Sequence, residues 1–365
     1  MALPTLHRLR VADICPEGSD AVSVSFDVPP ALREAFRFTP GQFVTLEARI
    51  EGEVLRRSYS ICSSPAEYDA SATLRVGIRR VNGGRFSNWA NDRLRAGAEI
   101  DLLTPDGRFG IDFSSSERRH YLGIAGGSGI TPMLSLIKTA LEAQPDSRFT
   151  LVYGNRTVAS IMFLEELEGL KNRWMERLSI FHVLSEETTE IELLSGLLDR
   201  ARIERLFEQA IRVPALNCAF VCGPAPMMQA AEDALLAAGL PRDRIRIERF
   251  ASPDAPTARP APAREATPID APGARVTLVV DGKARPITVP FDGASILDTA
   301  IAAGIGLPYA CKAGVCCTCR ARVLEGEVTM DKQYSLEKHE LEAGFVLSCQ
   351  AHPVSAEVRL SFDER

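Results

Sequence analysis

The cysteine pattern near the end of the chain restricts its fold more than any other feature. Three of the nine cysteines, Cys311, Cys316 and Cys319, have the spacing C-x4-C-x2-C, and Cys349 stands 30 positions further on. A cluster of two irons and two sulfides needs four thiolates around it, so a tight loop supplies three and a distant strand supplies the fourth. The spacing therefore predicts a [2Fe–2S] cluster held by Cys311, Cys316, Cys319 and Cys349.

The alternative to this cluster is a structural zinc site. Zinc-binding loops usually offer two C-x2–4-C pairs, whereas here three cysteines crowd one loop, so the cluster is favoured. Cys317 could replace Cys316 only with spacings of five and one residues, which fit a four-thiolate cage poorly. Cys317 is therefore predicted to be a bystander thiol. An odd number of cysteines without a secretion signal also argues against a disulfide framework.

Charge and hydropathy exclude several classes of function. Lys and Arg number 42 against 48 Asp and Glu, and no stretch is strongly basic, so a nucleic-acid partner has little support. The uncharged run over residues 213–231 contains three prolines, which would break a membrane-spanning helix. The first residues lack the apolar segment of a signal peptide. The sequence therefore predicts a cytoplasmic protein with no membrane partner.

Composition divides the chain into four predicted parts. In residues 251–272, 13 of 22 positions are Pro or Ala, which predicts a linker over residues 251–273. Residues 1–113 contain short strand-like segments between Pro and Gly, at 21–28, 43–48, 74–81 and 99–103, which predicts an antiparallel β-barrel. Residues 117–250 alternate strands (121–125, 149–153, 217–222) with helices (132–143, 227–238), which predicts an α/β domain with a parallel sheet.

The last part, residues 274–365, mixes strands with a helix around the cysteine loop. Two alternating apolar segments, 276–280 and 287–289, flank Asp281-Gly282, a strong hairpin signal. Residues 295–303 predict a helix that Ser295 caps and Gly304 ends. The expected architecture is an α+β, β-grasp-like domain.

Two motifs in the predicted barrel favour a flavin cofactor. Arg57 offers a bidentate fork for a pyrophosphate, Tyr59 offers a ring and a hydroxyl, and Ser60 could hydrogen-bond a flavin ring nitrogen. About 25 residues later, the start of a probable helix offers free N–H groups and a serine hydroxyl as an anion site. Each motif alone is more often structural, but their presence on one barrel strengthens both. The candidate cofactor-binding residues are Arg57, Ser58, Tyr59, Ser60, Gly84, Arg85, Phe86 and Ser87.

Two glycine-containing turns in the α/β part favour a dinucleotide site. Glycines at a strand-to-helix turn let the backbone approach a pyrophosphate, and the helix N-terminus adds partial positive charge. A second turn follows a later strand and is expected at the same crevice. The alternatives are a tight turn with no ligand and, for Cys222, a small buried hydrophobic residue. The candidate residues are Gly126, Gly127, Ser128, Gly129, Thr131 and Pro132, with Cys222, Gly223 and Pro224.

Taken together, these motifs resemble the ferredoxin–NADP reductase superfamily, and the cysteine loop resembles a fused plant-type ferredoxin. The resemblance implies that Arg57, Tyr59 and Ser60 hold FAD, with Ser60 near flavin N5, and that residues 126–132 hold the nicotinamide nucleotide. It further implies that Glu248 and Phe250 pack against the isoalloxazine ring. The implied catalytic residues are Ser60, Cys222 and Glu248.

The order of the modules also resembles the reductases of phenylacetyl-CoA epoxidases, over essentially the whole chain. This implies that electrons pass from a nicotinamide through FAD and the cluster to a di-iron oxygenase, since a hydride carries two electrons and the cluster accepts one. One alternative is a reductase of the same architecture for a Rieske-type ring hydroxylase or a steroid hydroxylase. Another is a non-enzymatic binding protein with a zinc-stapled tail.

The nicotinamide preference depends on the residue after the second strand of the nucleotide domain. An acidic residue there selects a free ribose 2′-hydroxyl, whereas Arg accommodates a 2′-phosphate. In this chain Gly154, Asn155 and Arg156 follow the strand. The sequence therefore favours NADPH bound at Arg156. The alternative is that Arg156 is a solvated surface charge and that the protein uses NADH.

Overall fold

The computed structural model describes residues 5–115, 117–250 and 273–364. Their contacts divide them into two compact units, a larger one holding Leu6–Leu55 and Tyr59–Phe250 and a smaller one holding residues 273–364, to which Thr5 and Arg56–Ser58 are also assigned. The predicted linker lies outside the described residues except for Gly273. In the described part of the chain, each helix is too short or too polar to cross a membrane.

The first part of the larger unit is the predicted antiparallel barrel. Its six strands have the order β4-β3-β6-β1-β2-β5. The edge strands meet where Ile61 bridges Val76 and the Cys62 N–H donates to the Arg75 carbonyl (2.9 Å), so the sheet closes on itself. The elements are β1 (Leu6–Pro16), β2 (Ala21–Asp27), β3 (Phe43–Ile50), β4 (Glu53–Ser60), α1 (Pro65–Ser71), β5 (Thr73–Arg79), α2 (Arg85–Arg93) and β6 (Glu99–Leu103).

The second part of this unit is the predicted α/β domain. Five parallel strands have the order β11-β10-β7-β8-β9, and apolar residues bury both faces, as the fully buried β10 shows. The order of strands reverses beside β7, so a crevice forms at the carboxyl ends of β7 and β10. The elements are β7 (His120–Gly126), α3 (Ile130–Ala143), β8 (Arg148–Asn155), α4 (Leu164–Arg173), β9 (Leu178–Leu184), α5 (Arg200–Gln209), β10 (Cys218–Cys222), α6 (Ala225–Ala237) and β11 (Ile245–Glu248).

The smaller unit is the predicted α+β, β-grasp-like domain. Its mixed sheet has the order β13-β12-β18-β14-β16, with β12 and β18 parallel, and β15 pairs with β17. The elements are β12 (Ala274–Val280), β13 (Lys283–Val289), α7 (Ile296–Ala302), β14 (Arg320–Glu325), β15 (Val328–Met330), α8 (Lys338–Glu342), β16 (Phe345–Leu347), β17 (Ala351–Pro353) and β18 (Glu357–Ser361).

Local signals account for the start of this smaller unit. Asp281 and Gly282 both have positive φ (50° and 69°), as the tight hairpin between β12 and β13 requires. The Ser295 hydroxyl accepts a hydrogen bond from the Asp298 N–H (3.2 Å) and so caps α7, and Gly304 follows the helix with φ 75°. Both sequence predictions are confirmed. The edge strand β13 begins four residues earlier than predicted and tolerates Pro286, because its outer side has no partner strand among the described residues.

We expect Gly110→Ala to lower the free energy of unfolding of the larger unit by about 1–3 kcal/mol, since overpacking forces backbone shifts. A Cβ at Gly110 would lie 2.0 Å from the Pro40 carbonyl oxygen. Gly169, in α4 with no atom near its added Cβ, is the matched control. Gly169→Ala should stabilise by about 1 kcal/mol. Urea unfolding followed by tryptophan fluorescence measures both, and a Gly110→Ala variant as stable as the wild type would contradict this packing.

Candidate active site and cluster site

Ser60 and Glu248 meet at the ends of β4 and β11. The Ser60 hydroxyl donates a hydrogen bond to Glu248 Oε2 across 3.1 Å, although the two residues are 188 positions apart. Burial of the carboxyl group raises the pKa of Glu248 to about 8, against the opposing effect of the Ser60 hydrogen bond. The carboxyl group therefore holds a proton at neutral pH.

Cys222 is the neighbour of Glu248 in the parallel pairing of β10 and β11. Its side chain is fully buried, and burial, followed by the nearby Glu248 charge, raises the pKa of its thiol. The structure thus brings the three candidate catalytic residues, Ser60, Cys222 and Glu248, to the ends of β4, β10 and β11. The complete burial of Cys222 also suits the alternative of a small hydrophobic residue. Phe250, two residues beyond β11, is 43% exposed.

The two flavin motifs lie side by side in the barrel. The Tyr59 ring on β4 packs against Phe86 of α2, with 5.7 Å between ring centroids. The helix α2 begins after Gly84 without a side-chain cap, and a helix N-terminus of this kind can bind an anion. An added Cβ at Gly84 would lie 2.6 Å from Ser87 Oγ and 2.9 Å from Val81 Cβ, so a larger residue would crowd this turn. This turn fits the pyrophosphate of FAD.

Other flavin-motif residues have protein partners. Arg57 and Ser58 lie within β4. The Ser87 hydroxyl accepts a hydrogen bond from the Val81 N–H (3.2 Å), and Arg85 forms an ion pair with Glu53 (2.6 Å). Ser87 thus holds the turn in shape, and the carboxylate of Glu53 competes with any phosphate for Arg85.

The two glycine turns of the α/β part touch each other. An added Cβ at Gly129 would lie 2.0 Å from the Cys222 carbonyl oxygen, and one at Gly126 would lie 2.6 Å from the Pro224 ring. The 14-residue helix α3 begins after Gly129 without a side-chain cap. This arrangement fits a nucleotide pyrophosphate through the glycine turn at the end of β7, where the backbone can approach a ligand, while the Ile130 N–H at the start of α3 already donates to the Gly127 and Ser128 carbonyls. In addition, the Thr131 hydroxyl donates to the Ser128 carbonyl (3.0 Å), which stabilises the turn.

Arg156 lies at the end of β8, beside this crevice. It forms an ion pair with Asp20 (3.2 Å), and its side chain is 58% exposed. Asp20 also pairs with Arg79 (3.0 Å), so the Asp20 carboxylate is shared. Sequence reasoning missed the neighbour Asn155: both amide atoms are buried without a hydrogen-bond partner in the described part of the chain. Buried amides normally have partners, so this group fits a hydrogen-bonding ligand.

The four predicted ligand cysteines are all buried and form two close pairs. The Cys316 thiol lowers the pKa of Cys311, Cys311 raises that of Cys316, and Cys349 raises that of Cys319, so the two side chains of each pair are neighbours. Among the described residues, no three His, Cys, Asp or Glu side chains converge as one metal ion would require. Two pairs of thiols suit two irons, whereas a tetrahedral zinc ion needs four sulfurs around one point.

Hydrogen-bond donors surround the cluster loop. The Cys316 thiol, followed by the backbone N–H groups of residues 313, 315 and 316, lowers the pKa of Cys311 to about 6. The buried Thr318 hydroxyl interacts with the Cys316 thiol and opposes the rise in its pKa, and Gln350 Nε2 lies 3.7 Å from Cys349 Sγ. Thiolates and donors aimed at sulfur are what a [2Fe–2S] cluster requires, so the residues present fit it.

Cys317 points away from these pairs. Its backbone is left-handed (φ 56°), and its thiol donates to the Ser335 hydroxyl oxygen (3.0 Å) and lies near the Ser335 carbonyl. Gly314 (φ 76°) lets the loop pass the Lys332 carbonyl oxygen, which an added Cβ would approach to 2.9 Å. The left-handed turn at Cys317 lets Cys316 and Cys319 face one side while Cys317 faces the other.

The sequence matches three family models, in chain order. Residues 9–111 match the oxidoreductase FAD-binding domain, residues 124–233 the oxidoreductase NAD-binding domain, and residues 278–354 the 2Fe-2S iron-sulfur cluster binding domain. These matches establish that the chain is an oxidoreductase that uses FAD, a nicotinamide nucleotide and a [2Fe–2S] cluster.

Whole-length relatives share all three domains. The chain is 44% identical to a component of the 1,2-phenylacetyl-CoA epoxidase of Escherichia coli (strain K12), covering 100% of this chain and 99% of that protein. It is 35% identical to the ferredoxin reductase component of 3-ketosteroid-9-alpha-monooxygenase from Rhodococcus rhodochrous, covering 97% and 96%.

Among solved structures, phthalate dioxygenase reductase has the same fold, with a TM-score of 0.57, 23% identity and coverage of 98% of both chains. The predicted fold class is therefore confirmed. With 44% identity over its whole length, the chain belongs to the family of oxygenase reductase components that join FAD-binding, NAD-binding and [2Fe–2S] ferredoxin domains.

Proposed function

We propose that this reductase passes electrons from NADPH to the di-iron oxygenase of a phenylacetyl-CoA epoxidase. The observation that carries the proposal is the 44% identity, over the full length of both chains, to a component of that enzyme from Escherichia coli. The module boundaries proposed here are residues 1–113 for the flavin domain, 117–250 for the nucleotide domain, 251–273 for the linker and 274–365 for the ferredoxin.

The proposed residue roles follow from the two anion sites and the paired thiols. When bound, FAD takes up the electron pair of a hydride and releases electrons singly, as a [2Fe–2S] cluster requires. Residues 57–60 and 84–87 hold FAD, residues 126–132 with Gly223 and Pro224 hold the nucleotide, and Phe250 covers the flavin. Cys311, Cys316, Cys319 and Cys349 ligate the irons, which the pairing of their thiols supports.

The proposed chemistry of the protein is proton handling and exclusion of water. Glu248 holds a proton on its carboxyl group 3.1 Å from the Ser60 hydroxyl, so Ser60 can accept this proton as it releases its own hydroxyl proton to a reacting atom, without solvent. Cys222, fully buried beside Glu248, keeps water from the carboxyl group.

A second candidate function is a reductase of the same architecture that serves another oxygenase. It is favoured by the 35% identity to a steroid monooxygenase component from Rhodococcus rhodochrous. The test mixes the purified reductase with a phenylacetyl-CoA epoxidase oxygenase, or separately with a Rieske-type or steroid oxygenase, and measures product per nucleotide consumed. Coupled product with the epoxidase alone supports the proposal, and coupled product only with another oxygenase refutes it.

A visible spectrum of the anaerobic protein during titration tests the cofactors and the nucleotide together. We expect flavin and cluster absorbance to bleach with NADPH at lower concentrations than with NADH. A colourless protein, or metal analysis that finds zinc in place of iron, would favour a zinc-stapled binding protein instead.

Arg156→Glu should raise the KM for NADPH at least about 10-fold more than the KM for NADH, because it places a like charge beside the 2′-phosphate. The substitution also removes the ion pair between Arg156 and Asp20. Both KM values are measured by steady-state reduction of an artificial electron acceptor. Arg148→Glu, at the other end of β8, is the control. Equal effects of Arg156→Glu on both nucleotides would remove this residue from the site.

Cys317→Ser should leave the visible absorbance of the cluster intact, whereas Cys316→Ser should abolish it. The reason is that Cys316 is paired with Cys311 while Cys317 faces Ser335. Iron and acid-labile sulfide per chain provide the quantitative measurement. The opposite pattern would overturn the assignment of ligands.

Glu248→Gln should remove a pH dependence of stability. The pKa of Glu248 is raised to about 8 in the folded protein. Its contribution to the free energy of unfolding is therefore complete at acidic pH and is lost as the pH rises towards 8. Urea unfolding at about pH 6 and about pH 8.5 should therefore show a smaller loss of stability in the variant than in the wild type. Identical losses would mean that Glu248 is ionised in the folded protein at neutral pH.

A further inference from the structure

Lys138 is a buried cation for which the reaction has no direct use. It lies on α3, and its side chain is 1% exposed. Lysine is almost never buried to this degree unless it is paired. Since it is enclosed by protein, its ammonium group cannot touch a bound nucleotide.

The partners of Lys138 come from two other helices and from the segment that follows β4. Its ammonium group forms ion pairs with Glu67 of α1 (2.9 Å) and with Glu166 of α4, and it donates to the Cys62 carbonyl (3.3 Å). Glu166 also accepts from Arg75 of β5 (2.6 Å). Two cations and two carboxylates therefore neutralise one another at the boundary between the barrel and the nucleotide domain. The nearby cations lower the pKa of Glu166, which keeps it charged despite burial.

This network joins the two segments that carry the proposed cofactor residues. Cys62 and Glu67 lie just after Ser60, which ends strand β4, and Lys138 lies on the helix that begins at the glycine turn after Gly126. A second tie strengthens the same connection, because the Ser135 hydroxyl of α3 donates to the Ser63 carbonyl (2.8 Å). Thus α3 is held to the residues directly after the flavin strand.

A stabilising role alone does not account for such a network. Desolvation of buried charges often cancels their attraction, and well-packed apolar replacements can be equally stable. Hydrogen bonds and ion pairs fix the distance and orientation of the segments that they join. Hydride transfer needs that geometry, because a displacement of about 1 Å can cost about 100-fold in rate.

We propose that Lys138 is a positioning residue for hydride transfer, which holds the nucleotide turn of α3 at a fixed distance from the flavin strand β4. The proposal rests on the proposed roles of residues 57–60 and 126–132. It predicts that loss of the ammonium group loosens residues 60–67 and slows flavin reduction without weakening nucleotide binding.

The test compares Lys138→Met with the wild type, as the full chain with FAD and cluster. Stopped-flow reduction by saturating NADPH should be about 10- to 100-fold slower in the variant, while the dissociation constant for NADP⁺ stays the same. A second readout needs no turnover: without nucleotide, backbone amides of residues 60–67 should exchange hydrogen for deuterium faster. A wild-type rate together with wild-type exchange would overturn the proposal.

Two further variants keep the test decisive if Lys138→Met folds poorly. The double variant Lys138→Met/Glu67→Gln removes one charge of each sign, and Gln at position 67 preserves the capping box with Ser64. Ser135→Ala removes the second tie without changing charge. Both should slow reduction, and wild-type rates in both would refute the positioning role.

Lys171→Met is the matched control, since the ammonium group of Lys171 on α4 donates to backbone carbonyls of the nucleotide domain, at Met175 and Leu178. It should reduce flavin at the wild-type rate, and a loss as large as that of Lys138→Met would refute a specific role for Lys138. The proposed function is judged separately, by the wild type: if neither nucleotide bleaches its flavin, that function fails, whatever the variants do.

Discussion

The contact between the glycine turns after β7 and β10 positions the nucleotide turn, Cys222 and Glu248 relative to one another. Gly129 lies so close to the Cys222 carbonyl that no side chain fits there, and this closeness brings the starts of α3 and α6 to one crevice. Cys222, in turn, lies beside Glu248 through the pairing of β10 and β11. The relative positions of Gly129, Cys222 and Glu248, which are far apart in the sequence, thus depend on the close approach of the Gly129 backbone to the Cys222 carbonyl.

Short-range signals in the sequence predicted much of this molecule. The Asp281-Gly282 hairpin, the Ser295 cap and the cysteine spacing each depend on residues that are close in the chain. The strands β7, β8 and β10 were recognisable because apolar residues cover both of their faces. The bounds of each agree closely with the prediction, β10 for example being Cys218–Cys222 where residues 217–222 were expected.

Other elements could not be predicted from the sequence because few of their residues are apolar and buried. The strand β1 has charged residues on its exposed side and only two buried ones, Leu9 and Val11, so its pattern resembles a loop. The helices α4 and α5 are rich in charge and bury few residues. The network around Lys138 was not predictable, because it joins four elements that only the tertiary fold brings together. Likewise, the closeness of Ser60 and Glu248 required either the fold or the family resemblance.

The edge strand β13 has a consequence for how the ferredoxin module avoids aggregation. Its outer backbone groups could template pairing with a second molecule, which is how exposed sheets aggregate. Lys283, Arg285 and Pro286 interrupt that surface, since like charges repel and proline lacks an N–H to donate. The module can therefore be present at high concentration, with its sheet margin exposed, and still avoid the intermolecular β-pairing that would make it insoluble.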